Sequence, residues 1–178
     1  MSVSSHLNPE PERRLWIIHE SLKRTLEWTD IKLWALAFFA ALELTAACYV
    51  LPPGAARAAV LALLAASLPV SALALTPFLE TPPRMPLADP ARGRPHPGDT
   101  MLAARDLAKY PQIELVNILD RYLGGGVTAT PYYEDIVGQI VLTARVITRK
   151  NRVLAAAGTL AVLAQIVLLI GTISGRVW

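Results

Sequence analysis

The chain has 178 residues, of which 53% are hydrophobic and 17% charged, with a formal net charge of +3. This length allows one membrane domain with a modest polar part and excludes two large domains. One cysteine and three scattered histidines exclude an intrachain disulfide and argue against a metal site. We therefore expect no metal centre and no catalytic residues.

Residues 1–30 are predicted to form a cytoplasmic amphipathic helix that begins near Pro9 or Pro11. Apolar residues recur on one face at spacings of three and four, as expected for a half-buried helix; they are Leu15, Ile18, Leu22 and Leu26. These residues lack the pattern of a signal peptide. Because no helix breaker follows them, we expect one long helix that continues into the membrane.

Residues 31–79 are predicted to form a transmembrane hairpin. Its arms, Ile31–Leu51 and Ala58–Leu79, each reach the about 20 apolar residues that a spanning helix needs. The sequence Pro52-Pro53-Gly54 lies between the arms and predicts a tight turn. Pro69 is expected to kink the second arm. Small residues that favour close helix packing recur along the same arm; they are Ala58, Ala62 and Ala66.

Three ionisable residues mark the first span. Glu43 lies near its middle, where a carboxyl group suggests a pore lining or a proton site, or else a protonated side chain bonded to a neighbouring helix. Asp30 and Lys32 lie at its cytoplasmic mouth. Either Lys32 extends to the lipid headgroups beside a solvated Asp30, or both residues fix the cytoplasmic helices on the spans.

The middle of the chain is predicted to be cytoplasmic. Residues 80–98 contain six prolines and are interpreted as a linker. Residues 99–152 are predicted to be a helical segment, with a first helix capped by Asp99 or Thr100 and a break at the glycine triplet 124–126. Basic and acidic residues nearly balance there, which argues against nucleic-acid binding.

Residues 153–174 are uncharged and are predicted to form the third span. A basic cluster precedes them, as lipid anchors or as a phosphate site; it comprises Arg145, Arg149, Lys150 and Arg152. Because basic residues favour the cytoplasmic side, we expect the N-terminus inside the cell and the C-terminus outside. The predicted fold class is an all-α membrane protein with three transmembrane helices and amphipathic cytoplasmic helices.

The order of these elements resembles the transmembrane effectors of Pycsar anti-phage systems, which are similar in style to the SLATT group of small membrane effectors. The resemblance covers about residues 12–174. The residues that carry it are Trp16, the Asp30-x-Lys32 pair, Tyr132–Asp135, Gln139-Ile140, Ala144-Arg145, Ile147 and Lys150.

The resemblance implies an inner-membrane protein of bacteria, without a cofactor, that acts in abortive infection as a homo-oligomer. Its activating ligand would be a cyclic pyrimidine mononucleotide, cCMP or cUMP, from a partner cyclase. If the nucleotide binds directly, its phosphate needs cations. The candidates are Arg121, Arg145, Arg149 and Lys150, with Tyr132 or Tyr133 for base stacking.

Two other functions are compatible with three spans. A membrane scaffold, or an accessory subunit of a channel or transporter, would need no nucleotide. A membrane enzyme would need a cluster of acid, base, nucleophile or metal ligands near the interface, and the sequence contains no such cluster. We therefore predict that the protein is not an enzyme.

Overall fold

The computed structural model describes residues 10–76, 95–96, 98–123 and 131–175, and the regular elements within these ranges are all α-helices. In chain order they are α1 (Glu10–Val50), α2 (Ala55–Leu75), α3 (Ala104–Leu107), α4 (Gln112–Leu123) and α5 (Pro131–Gly175). Three of them, α1, α2 and α5, contain stretches long and apolar enough to cross a membrane. The predicted all-α membrane fold with three spans is confirmed.

The chain divides into two compact units. Unit 1 comprises residues 1–27 and 83–149, and unit 2 comprises residues 28–82 and 150–178. The boundary crosses two unbroken helices, since α1 changes unit after Glu27 and α5 after Arg149. The prediction of one long N-terminal helix is therefore confirmed.

Unit 1 has a hydrophobic core between α1, α3, α4 and α5. The apolar stripe predicted on the N-terminal helix lies in this core, with Leu15, Ile18 and Leu22 buried and Leu26 packed against them. The other helices contribute buried side chains at spacings of three and four, which is the period of a helix with one apolar face. These include Leu107, Leu115, Leu119, Val137, Ile140, Ala144 and Ile147.

Unit 2 contains the three membrane-spanning stretches, and small residues bring them together. Its buried cluster includes Ala40 and Ala47 of α1 and Ala164 of α5. A Cβ atom added at Gly171 would lie 3.2 Å from the Cβ of Ala56, so a side chain there would push α5 away from α2. Close backbone approach of this kind drives helix association in lipid, where apolar side chains gain little from burial.

The second span packs through a different face from the one that its alanines suggested. Ala58, Ala62 and Ala66 are exposed, and the buried residues of α2 are Val60, Leu64, Ser67, Ser71 and Ala74. The two serines satisfy their hydroxyls locally, donating to the carbonyls of Leu64 and Ser67 at 2.8 and 2.9 Å. Both serines are therefore buried in the span without leaving a hydroxyl unpaired.

The predicted helix after the linker is shorter than expected. It runs only from Ala104 to Leu107, and its N-cap is Ala103, not Asp99 or Thr100. Asp99 instead accepts a hydrogen bond from the backbone N–H of His96 at 2.9 Å and an ion pair from Lys109 Nζ at 2.6 Å. The same ammonium group lies 2.9 Å from Asp106, so one lysine joins two carboxylates and ties the ends of the segment together.

Because Lys109 is paired with two carboxylates, we expect residues 99–110 to lose local order in acid. Hydrogen bonds from Lys109 lower the pKa of Asp99 and of Asp106 below the usual 3.8. Because the folded segment holds fewer protons than the unfolded one, its stability is complete above pH 3.8 and falls as the pH drops through the lowered pKa. Amide hydrogen exchange of residues 99–110 should be constant from neutral pH down to about pH 4, after correction for the intrinsic rate, and should accelerate below it.

The Lys109→Met variant supplies the control for that measurement. It should exchange faster at neutral pH and show little further change in acid. An unchanged exchange rate in this variant would show that the network does not hold the segment.

Some predictions lie outside the described residues. They are the greater part of the linker at 80–98, the glycine triplet at 124–126 and the start of the last helix at Thr130. The proposed division into residues 1–30, 31–79, 80–98, 99–152 and 153–174 stays a prediction.

Candidate functional site

The mouth of the first span in unit 2 carries a polar cluster. Lys150 Nζ lies 2.7 Å from Asp30 Oδ1, and the lysine side chain is only 5% exposed, against 34% for the aspartate. Beside this pair, Thr29 Oγ1 donates a hydrogen bond to Asn151 Oδ1 at 3.4 Å. Thr29 directly precedes Asp30, and Asn151 directly follows Lys150. Lys32, at the same mouth, is exposed. The cluster therefore joins α1 to α5 through one ion pair and one hydrogen bond.

A second polar contact lies within the spans. Glu43 of α1 accepts a hydrogen bond from Gln165 Nε2 of α5 at 2.7 Å. A carboxyl group among apolar helices needs such a partner because the hydrocarbon offers no other donor. Gln165 was missed in the sequence, although a lone amide within an uncharged span was a signal that could have found it.

Unit 1 contains a cavity of about 240 Å³ between α1 and α5. It is lined by Trp16, His19, Tyr132, Asp135, Ile136 and Gln139. The indole Nε1 of Trp16 donates to the hydroxyl of Tyr132 at 3.2 Å, and the Trp16 and His19 rings meet edge to face with centroids 5.6 Å apart. Two aromatic rings from different helices are thus held at one opening.

His19 is a titratable residue of the cavity lining. Its Nδ1 atom is buried and makes no hydrogen bond to any residue within the described ranges. Burial, and then the nearby charge of Lys23, lower the pKa of His19, while Glu20 acts in the opposite direction. The imidazole is therefore neutral at neutral pH, with one nitrogen that donates and one that accepts hydrogen bonds.

The predicted nucleotide-binding residues lie in different surroundings. Tyr132 is 51% exposed at the cavity, whereas Tyr133 is 3% exposed, and burial together with the charge of Asp120 raises the pKa of Tyr133 to about 12. Arg121 is exposed on α4, Arg149 is buried in unit 1, and Lys150 forms the ion pair of unit 2. Their role in binding a nucleotide stays a prediction, as does any role of Lys32.

Arg145 has a defined partner within unit 1. Its Nε and Nη2 atoms donate to the backbone carbonyls of Ala108 and Tyr110, at 3.4 and 3.2 Å. These carbonyls follow α3, where the chain turns before α4 and has no helical partner for them. One guanidinium group of α5 therefore holds the segment after α3 by two hydrogen bonds.

Replacing Arg145 tests that assignment. Arg145→Lys keeps the charge, but one ammonium group does not reproduce the fork that reaches two carbonyls, so we expect a loss of about 1–3 kcal/mol in the stability of unit 1. Arg145→Met should cost at least as much. Thermal melting of the purified protein measures the loss, with Arg105→Lys as the matched control because Arg105 is exposed on α3. Equal melting of all variants would contradict the assignment.

Comparison with known proteins agrees with this architecture. Residues 22–175 match the family model described as the Pycsar effector protein domain. Comparisons with curated proteins and with solved structures give no match. The matched residues include all three spans, the polar contacts of unit 2 and the part of the aromatic cavity that α5 supplies. The chain therefore belongs to the Pycsar effector family and is a multi-pass membrane effector of a Pycsar anti-phage system.

Proposed function

We propose that a cyclic pyrimidine mononucleotide, cCMP or cUMP, made by a partner cyclase during phage infection, activates this effector and that the active form impairs the bacterial inner membrane. Family membership supports the signalling role. The observation that carries the membrane role is the position of Glu43, an ionisable residue within an apolar span with Gln165 as its partner, because such residues are by default candidates for ion or proton paths.

The helices supply a means of activation. α1 and α5 each run without interruption from unit 1 into unit 2. A ligand that binds one arrangement of unit 1 more tightly than another shifts the population toward that arrangement. Because the same two helices continue as the first and third spans, the shift changes how the spans associate. In a homo-oligomer, the half-buried carboxyl group of Glu43 then joins a leak path.

The proposed orientation places the N-terminus and residues 80–152 in the cytoplasm, where a cyclase product is available. Basic residues support it, since the hairpin turn holds only Arg57 while the two proposed cytoplasmic segments hold most of the others. Trp28 and Trp34 are 62% and 64% exposed near the mouth of the first span, as expected for aromatic side chains at the membrane interface.

Membrane integrity tests the proposal directly. Bacteria that express the protein at a confirmed level in the membrane receive cCMP, cUMP or cAMP from an inducible cyclase, and a voltage dye with propidium uptake reports the membrane. We expect depolarisation with one pyrimidine nucleotide and none with cAMP. An intact membrane with both pyrimidine nucleotides would favour a scaffold or accessory subunit without nucleotide sensing.

A further inference from the structure

We infer that the cavity lined by Trp16, His19, Tyr132, Asp135 and Gln139 reads the base of the activating nucleotide, and that it selects cytosine over uracil. The inference rests on the proposed function for the class of ligand. Position and base preference come from the cavity itself, which lies wholly within unit 1.

The size of the cavity fits one base. Its volume of about 240 Å³ is below the range of about 300–1,000 Å³ that is usual for pockets enclosing a drug-sized ligand. A pyrimidine ring enters such a space, while the ribose and cyclic phosphate stay at the open side. A purine base also fits this volume, so the choice of base depends on the polar groups that line the cavity.

Aromatic walls give the base a stacking surface. Trp16 is 48% exposed and Tyr132 is 51% exposed, so both side chains are accessible to a ligand at the cavity. The hydrogen bond of 3.2 Å from the indole to the phenol holds the two side chains together. Stacking on aromatic side chains binds any base, since every base has a π-face. It supplies affinity without choice among bases.

Asp135 supplies the choice. Its carboxylate lines the cavity and can only accept hydrogen bonds. Cytosine presents an exocyclic N4 amine, which donates to a carboxylate, whereas uracil presents an O4 carbonyl at the same position, which a carboxylate repels. Gln139 and the neutral His19 carry donors and acceptors for the remaining edge atoms. At the exocyclic position a donor that faces this acceptor is present only in cytosine, because the ring donor of uracil, N3–H, lies one position further along the base edge.

The charge of the cavity excludes the phosphate. Among the described residues that line it, Asp135 alone carries a formal charge, because the pKa of His19 is lowered. A phosphate inside would face this carboxylate. Lys23, exposed one helical turn along α1 from His19, is a cation at the outside of the cavity. The nucleotide therefore enters base first.

Binding to the full-length protein in lipid nanodiscs tests the inference, with calorimetric titration of cCMP, cUMP and cAMP. We expect cCMP to bind at least tenfold more tightly than cUMP. Asp135→Asn should weaken cCMP about tenfold and narrow or reverse the preference, since the new amide can donate to O4. Glu134→Gln removes the same charge from an exposed neighbour outside the cavity and should leave both affinities within about twofold.

The aromatic wall has its own test. Trp16→Ala should weaken both pyrimidine nucleotides to a similar degree, and Trp16→Phe should restore most of the binding because a stacking face returns. Circular dichroism and size exclusion establish that each variant is folded. A wild type that prefers cUMP, or an Asp135→Asn variant with the wild-type preference, would overturn the cytosine site while leaving the proposed function intact. A wild type that binds neither pyrimidine nucleotide would overturn direct sensing at this cavity, while the depolarisation experiment tests the proposed function separately.

Discussion

Asp30→Ala should destabilise unit 2 by about 3–5 kcal/mol, because it leaves the ammonium group of Lys150 buried without a counter-charge. Such a loss lowers the melting temperature of a chain of this size by roughly 10 °C. Melting of the detergent-solubilised protein, followed by size exclusion of a fluorescent fusion, measures it. The expectation follows from the burial of the pair: Lys150 is 5% exposed while Asp30 is 34% exposed.

The reciprocal variant should behave differently. Lys150→Met removes the buried charge itself and leaves Asp30, which reaches solvent, so its loss should be clearly smaller. The double variant Asp30→Ala with Lys150→Met should recover most of the stability that the first variant loses, since an apolar pair needs no counter-charge. Equal losses in the two single variants, or no recovery in the double variant, would show that burial of Lys150 is not the source of the effect.

Glu43→Leu should reduce nucleotide-dependent depolarisation to near background while leaving insertion and nucleotide binding unchanged. The substitution removes the hydrogen bond to Gln165, and such bonds between spans contribute only about 0.6 kcal/mol on average, so the fold should survive. The leak path that we propose loses its carboxyl group. The voltage dye reports the functional loss, and calorimetry with cCMP and cUMP reports binding.

Thr45→Val is a matched control in the same span. Its hydroxyl donates to the carbonyl of Ala41 within its own helix at 2.9 Å, so the change removes a polar group without breaking a contact between helices. This variant should depolarise the membrane as the wild type does. If Glu43→Leu does the same, the carboxyl group is not part of the leak path.

Much of the fold was predictable because bilayer thickness sets the length of an apolar span and one-sided apolar spacing sets the buried face of a helix. The stripe from Leu15 to Leu26 was read correctly for that reason. The packing face of α2 was not predictable, because α2 has alanines on every face. Which face contacts another helix depends on the other spans. The helix after the linker was predicted to begin too early because Asp99 pairs with Lys109 and does not cap a helix.

The candidate site was predictable one residue at a time and not as pairs. Asp30, Glu43 and Lys150 each stand out in the sequence as charges beside or within apolar stretches. Their partners lie 120 or more residues away in the chain, so no local pattern joins Asp30 to Lys150 or Glu43 to Gln165. The cavity was missed for the same reason, since α1 supplies Trp16 and His19 and α5 supplies the rest of its lining, and of these residues only Tyr132 was predicted to bind a ligand.

The long sequence separation between these partners also determines the order in which the contacts of unit 2 form during synthesis. Because a protein is made from its N-terminus, the hairpin of the first two spans is complete long before Lys150, Asn151 and Gln165 leave the ribosome. Until then, Asp30 and Glu43 lack the partners Lys150 and Gln165 that they have in the folded chain. The last helix is therefore the component that completes unit 2.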